Sequence, residues 1–266
     1  MSSIRRVDLQ DDFRSSPTGP PNWGRELLAG LQENGFVRIV GHPVSPALIS
    51  RAQGAFERFF ELSSLEKRLS GGITGGQRGY TPLGLEQARN HDCPDEKEFF
   101  HVGQDVPPGS AQGEHYVENT WPRAMPELRT SALALYRELE NTAKMLLQGL
   151  ALACELPLDT FSHMIENGNS ILRAVHYPPL SANAKPGTMR AAPHEDINLI
   201  TLLCGETDAG LEILNRDTQW IPITSEPGEI VADIGDMLAR MTNNQLLATT
   251  HRVFQTFLQI HQVHRL

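Results

Sequence analysis

The spacing of apolar residues changes character near position 170. Before it, they recur three and four apart. Over residues 23–34, Leu27, Leu28 and Leu31 fall at helical spacing, and Gly35 sits where a helix would stop. Residues 46–62 repeat the pattern, with Leu48, Ala52, Phe56, Phe59 and Phe60 on one side, and a short third helix is predicted over 64–69. The longest such pattern covers 125–156, from Leu128 to Leu152, and predicts one long helix or two joined ones, stopped by Pro157. A short helix is expected at 161–165. Three other stretches in this half read as strands: 4–9, 36–40 (ended by Gly41-His42-Pro43) and the charged, then aromatic 95–102.

After Ser170 the runs shorten. Residues 171–177, 197–204, 210–214, 219–223, 229–234 and 249–254 are apolar or β-branched. Turn signals separate them at Gly205, Asn215-Arg216-Asp217, Pro227-Gly228 and Gly235-Asp236. Short strands at this spacing predict an antiparallel sandwich or barrel rather than alternating β-α units. Residues 181–193 read as a loop, and 237–243 as a short helix or turn. A helix-rich region over 1–120 and a long helix plus strands over 121–266 form one compact unit, because no Pro/Gly linker of disordered character divides them.

Composition adds exclusions. The formal net charge is −9, which argues against a nucleic-acid surface and against an anionic-membrane anchor. No run of eighteen apolar residues predicts a membrane span. Cys93, Cys154 and Cys204 are odd in number and far apart, so they are no disulfide framework and no zinc pair. They fit a reducing cytoplasm. Glycines at 71, 72, 75, 76, 79 and 84 match neither a dinucleotide nor a phosphate-loop pattern. Within that loop, Arg78 and Tyr80 are the candidates for contact with a substrate, because binding residues concentrate on loops.

Pro193-His194-Glu195-Asp196 precedes the apolar run at 197–204. In an extended strand, side chains two apart share a face. His194 and Asp196 then aim at one point and Glu195 aims away. With a further histidine they form a two-His-one-carboxylate metal set. His251, strand-flanked and 55 residues after Asp196, is the best-placed partner. Such a set without thiolate suits Fe(II), and the same set could hold zinc for hydrolysis. A zinc hydrolase wants a base beside its water, and Glu195 faces the wrong way for that.

The ordered series Ile171-Leu172-Arg173, His176-Tyr177-Pro178-Pro179, His194-Glu195-Asp196, Gly210-Leu211-Glu212, Trp220-Ile221-Pro222, Gly235-Asp236-Met237 and Thr250-His251-Arg252-Val253 resembles the isopenicillin N synthase-like 2-oxoglutarate/Fe(II) oxygenases. Asn34-Gly35-Phe36 with Gly41-His42, and Lys67 after Phe59-Phe60, resemble that family's N-terminal region. The resemblance implies a mainly β fold with α, a distorted jelly roll (double-stranded β-helix) wrapped by N-terminal helices. It implies Fe(II) on His194, Asp196 and His251, with 2-oxoglutarate chelating that iron. It also implies oxidation of a small molecule by O2 while 2-oxoglutarate is decarboxylated to succinate. Tyr177 matches the tyrosine that meets the far carboxylate of 2-oxoglutarate. Val175 stands where many members have an asparagine. Members that form ethylene and succinate share the same segments.

The chain departs from the family after Val253. The family continues to an Arg-x-Ser pair about ten residues past the histidine, and none follows His251 here. The ending reads as truncated or frame-shifted. Three expectations follow: weak 2-oxoglutarate binding or a non-catalytic remnant, reduced stability, and barrel edges left open by missing strands.

Overall fold

Helix α1 (Asn22–Asn34) turns Trp23, Leu27 and Leu31 inward and ends at Gly35, whose φ is +69°. A side chain is strained in that left-handed conformation. A Cβ there would also strike the Leu247 carbonyl oxygen and the Thr249 side chain. The residue that stops α1 therefore also lets the segment leading to His251 pass beside it. Helix α2 (Pro46–Phe60) carries a proline in its first turn, where no N–H is needed. Helix α3 (Ser64–Leu69) starts in a capping box between Ser63 and Glu66. Helix α4 (Pro126–Ala153) is a single helix of 28 residues, about 42 Å long at the usual rise. It crosses α1 where Gly149 leaves room for the Trp23 ring.

The computed structural model describes residues 4–10, 20–71, 77–87, 94–105, 116–166, 168–179, 189–204 and 210–253, and the backbone of 258–263. Cys93 lies outside the described residues. The helices pack on one face of an eight-stranded sheet. Its strands, in spatial order, are β1 (Arg5–Asp8), β2 (Phe36–Val40), β10 (Ile230–Ile234), β7 (Ile200–Cys204), β12 (Leu258–Val263), β5 (Ile171–His176), β4 (Glu98–Gly103) and β3 (Gly79–Thr81). A four-stranded sheet runs β6 (Ala191–His194), β11 (His251–Val253), β8 (Leu211–Leu214) and β9 (Trp220–Pro222). A second core of Val175, Tyr177, Leu203, Leu211, Ile213, Val231 and Val253 fills the space between the sheets. This is the distorted jelly roll, mainly β with α, that the resemblance implies. Two short helices remain, α5 (Ser162–Ile165) and α6 (Asp236–Met241).

Alternation divides the labour on β4 and β5. Phe99 and Val175 face the second core, while Phe100 and Ala174 face the helices. The N-terminal strands β1 and β2 join the C-terminal β10 in one sheet.

Three strands depart from the sequence reading. β3 lies in the glycine-rich stretch, and β6 occupies the end of the segment expected to be a loop. The third is β12, which lies between β5 and β7, with Leu258 opposite His176 and Ile260 opposite Cys204; the two sheets are not closed into a barrel, and their edges are β1 and β3, β6 and β9. The backbone groups of β12 supply the ladder on both sides, so pairing there needs no Arg-x-Ser sequence. Among the described residues, no helix is long and apolar enough to cross a membrane.

Candidate active site

β6 and β11 pair antiparallel with His194 directly opposite His251, and a register shift follows before Val253. Cross-strand partners on one face lie close together. The two imidazole centroids are 4.4 Å apart. Each ring is held through Nδ1. His194 Nδ1 meets the Ala192 carbonyl at 2.8 Å, and His251 Nδ1 meets the Thr249 carbonyl at 3.2 Å. A carbonyl only accepts, so each Nδ1 carries the hydrogen and each Nε2 presents its lone pair. Phe36 holds the His251 ring from the edge, with centroids 5.4 Å apart.

Asp196 reaches the same point differently. β6 ends at His194, and the chain then leaves the strand. Asp196 Oδ1 lies 3.8 Å from both His194 Nε2 and His251 Nε2. Its Oδ2 accepts from the Thr201 hydroxyl and, at 3.3 Å, from Asn198 Nδ2. Asn198 also donates to Thr201 at 2.8 Å. A Cβ at Gly235 would collide with Asn198, so glycine is what lets this supporting residue sit there. One ligand atom from each of His194, Asp196 and His251 lies within 4.8 Å of the others. Glu195 points away and accepts from the Thr250 hydroxyl at 2.8 Å.

The electrostatics suit a cation. Burial, then the neighbouring His251, lowers the His194 pKa to about 4 against the pull of Asp196. The imidazole is therefore neutral at neutral pH and needs no deprotonation to bind a metal. Asp233, on β10, is buried, and burial together with the Asp196 charge pushes its carboxyl well above the usual range.

The surrounding pocket is lined by apolar and aromatic side chains, Val175, Tyr177, Ile197, Leu203, Leu211 and Val253, and by the cations Lys97 and Arg173. Tyr177, the residue matched to the cosubstrate contact, lies in this wall. Its phenol is fully buried, and burial raises its pKa. Val175 presents an apolar surface there. The sequence reading missed Thr201, Asn198, Lys97, Arg173 and Asp233. Only Arg173 carried a signal, as the last residue of Ile171-Leu172-Arg173. Lys97 sits in a charged run and the others in apolar or mixed ones, and folding alone brings them to the site.

Arg78 and Tyr80, the sequence-based candidates for substrate contact, are not among the residues that line this pocket. Arg78 is 1 % exposed. It donates to Asn169 Oδ1 at 3.1 Å and to the Gln77 carbonyl at 2.8 Å. Tyr80 packs edge-on against Phe59 on the helix-facing side. Its hydroxyl donates to Glu98 at 2.5 Å. β3 pairs with β4, and Tyr80 joins the core under the helices.

Residues 4–124 match the family model for the non-haem dioxygenase in morphine synthesis N-terminal region, and 168–257 match the 2OG-Fe(II) oxygenase superfamily. The chain is 32 % identical to the 2-oxoglutarate-dependent dioxygenase ecdK of Aspergillus rugulosus, over 94 % of this chain and 80 % of that one. A 2OG-Fe(II) oxygenase family protein from Caulobacter crescentus superposes with a TM-score of 0.87 at 35 % identity, covering 100 % of this chain and 87 % of that one. A full-length Neurospora crassa protein, crystallised in complex with alpha-KG, shares the fold with a TM-score of 0.82 at 24 % identity, over 98 % and 84 % of the two chains. The paired histidines, the aspartate between the two sheets and these similarities over nearly the whole length lead to one assignment: the chain belongs to the 2-oxoglutarate/Fe(II) oxygenase family.

Proposed function

We propose that His194, Asp196 and His251 hold the Fe(II) of this 2-oxoglutarate-dependent oxygenase, that Tyr177 meets the bound 2-oxoglutarate, and that the prime substrate is a small molecule. The observation that carries the reading is the convergence of three ligand atoms within 4.8 Å, with both Nδ1 atoms engaged by carbonyls. Two imidazoles and one carboxylate without thiolate suit Fe(II) and leave coordination positions open. When bound, Fe(II) and 2-oxoglutarate supply O2-dependent oxidation of a C–H bond, with carbon dioxide and succinate as co-products.

The protein's part is to bind, orient and shield. Asp196 brings the one negative charge of the set, and Thr201 with Asn198 fixes which of its oxygens faces the histidines. Val175, Leu203, Leu211 and Val253 give the pocket an apolar wall that keeps water from the bound groups. Tyr177 offers a hydroxyl donor there to a carboxylate. The zinc-hydrolase alternative lacks support, because Glu195 is turned to Thr250 and cannot serve as a base beside the three ligands. A reducing, cytoplasmic setting remains our expectation from the cysteines.

The test is spectroscopic. Anaerobic addition of Fe(II) and then 2-oxoglutarate should give a visible metal-to-ligand charge-transfer band. His194→Ala, Asp196→Ala and His251→Ala should each abolish it, whereas Glu195→Gln should keep it. A band that survives His251→Ala would overturn the ligand assignment.

A further inference from the structure

Two cations beside the candidate metal centre have no role in holding the metal. Lys97 and Arg173 both line the pocket. Their side chains are only 7 % and 13 % exposed. Lys97 is close enough for its charge to act on His194. A buried cation is retained only where something pairs with it. Here one oxygen serves both: Glu86 Oε2 lies 2.7 Å from Lys97 Nζ and 2.5 Å from Arg173 Nη2.

The two partner acids differ. Asp95 is buried and fixed, since it bonds Lys97 at 2.8 Å and also accepts the Ala192 backbone N–H at 3.1 Å. Glu86 is the more open, with 38 % of its side chain exposed, on the stretch just after β3. Arg173 has donors to spare. Among the described residues its guanidinium makes one hydrogen bond, to Glu86, and its plane is fixed by Phe99, 4.0 Å from the ring centroid. A pre-oriented guanidinium beside an ammonium is a ready receptor for a carboxylate. A carboxylate of the protein's own sits in it.

We propose that Lys97 and Arg173 receive a carboxylate of the prime substrate, and that Glu86 holds this place in the ligand-free chain. The proposal rests on reading His194, Asp196 and His251 as the metal centre. It places the anionic end of the substrate beside Lys97 and Arg173, in the pocket that also holds His194, Asp196 and His251. The pocket suits an apolar body: Ile197, which lines it next to Asp196, is 69 % exposed. The substrate class is therefore an amphiphilic carboxylic acid.

Octanoate is the probe, with octanamide as its neutral control, and binding is read by calorimetry on the whole chain. Octanoate should bind at least about tenfold more tightly than octanamide, the scale of one charge-assisted contact. Glu86→Gln should tighten octanoate binding about tenfold, because the resident carboxylate no longer competes. Lys97→Gln and Arg173→Gln should weaken it by a similar factor. Should either of these fail to fold, the amide comparison and Glu86→Gln still decide. Saturating 2-oxoglutarate should leave octanoate affinity unchanged. Equal affinity for acid and amide, or no binding of either, overturns the proposal. So does indifference to Glu86→Gln, and so does displacement of octanoate by 2-oxoglutarate, which would make the pair a cosubstrate anchor. The Fe(II)/2-oxoglutarate band on the wild type separates the two readings. A band without octanoate selectivity overturns this inference alone, and selectivity without a band overturns the metal assignment alone.

Discussion

Replacing Glu98 with glutamine removes the charge on which three neighbours converge. Lys67 Nζ lies 3.0 Å and 2.8 Å from its two oxygens, Tyr80 donates to it at 2.5 Å, and His176 Nδ1 meets it at 2.8 Å. The cluster is enclosed between α3 and the back of β4 and β5, where Phe60 stacks on His176. Burial by itself would raise the Glu98 carboxyl. The hydrogen bonds from His176, Lys67 and Tyr80 override it and bring the pKa from 4.5 to about 2. That difference, at about 1.4 kcal/mol per pH unit, corresponds to roughly 3 kcal/mol of stability. Breaking a buried ion pair from one side independently suggests about 3–5 kcal/mol. The sign follows from the lowered value: the contribution is fully present above pH 4.5 and is lost as pH falls toward 2. Urea unfolding followed by circular dichroism should show Glu98→Gln less stable than the wild type by about 3 kcal/mol at pH 7. The gap should narrow by more than about 1 kcal/mol at pH 3. Adding Lys67→Met should restore part of the loss, since it removes the stranded ammonium. A gap under about 1 kcal/mol at pH 7, or one that does not change with pH, would refute the reasoning.

Thr201→Val keeps the size of the side chain and removes the hydroxyl that holds Asp196. Fe(II) affinity, measured by anaerobic titration, should fall about 10–100-fold while the melting temperature stays close to that of the wild type. Gly35→Ala adds a Cβ where φ is positive and Leu247 is in the way. It should lower stability by about 1–2 kcal/mol or more in thermal or urea melts, and weaken metal binding because Thr249 leads into His251. Residues 254–266 contain no Arg-x-Ser, and a charge-assisted hydrogen bond contributes about 1.5–3 kcal/mol. Calorimetry on the Fe(II)-loaded chain should accordingly give 2-oxoglutarate binding weaker than micromolar, and micromolar binding would contradict it.

The sequence by itself determined the elements whose residues repeat with a period of their own. Gly35 ends α1 and the run at 36–40 is β2, because a left-handed stop and a β-branched strand are local matters. The long leucine pattern became α4 for the same reason. His194, Asp196 and His251 were legible as a set through spacing and resemblance. Tertiary structure decided the rest. No glycine or proline turn signal announces β12, whose alternation over Leu258-Gln259-Ile260-His261 is brief, and it is a strand because β5 and β7 leave a ladder for it. Tyr80 and Arg78 looked like loop residues near a pocket, yet strand pairing turned one under the helices and buried the other. Thr201 is one more β-branched residue in a strand until folding places it against Asp196. The same holds for Lys97, Glu86 and Arg173: Lys97 lies 11 residues from Glu86 and 76 from Arg173. Local sequence records what a residue's neighbours along the chain impose, and the convergence of charges from distant segments is imposed only by the packing of the sheets.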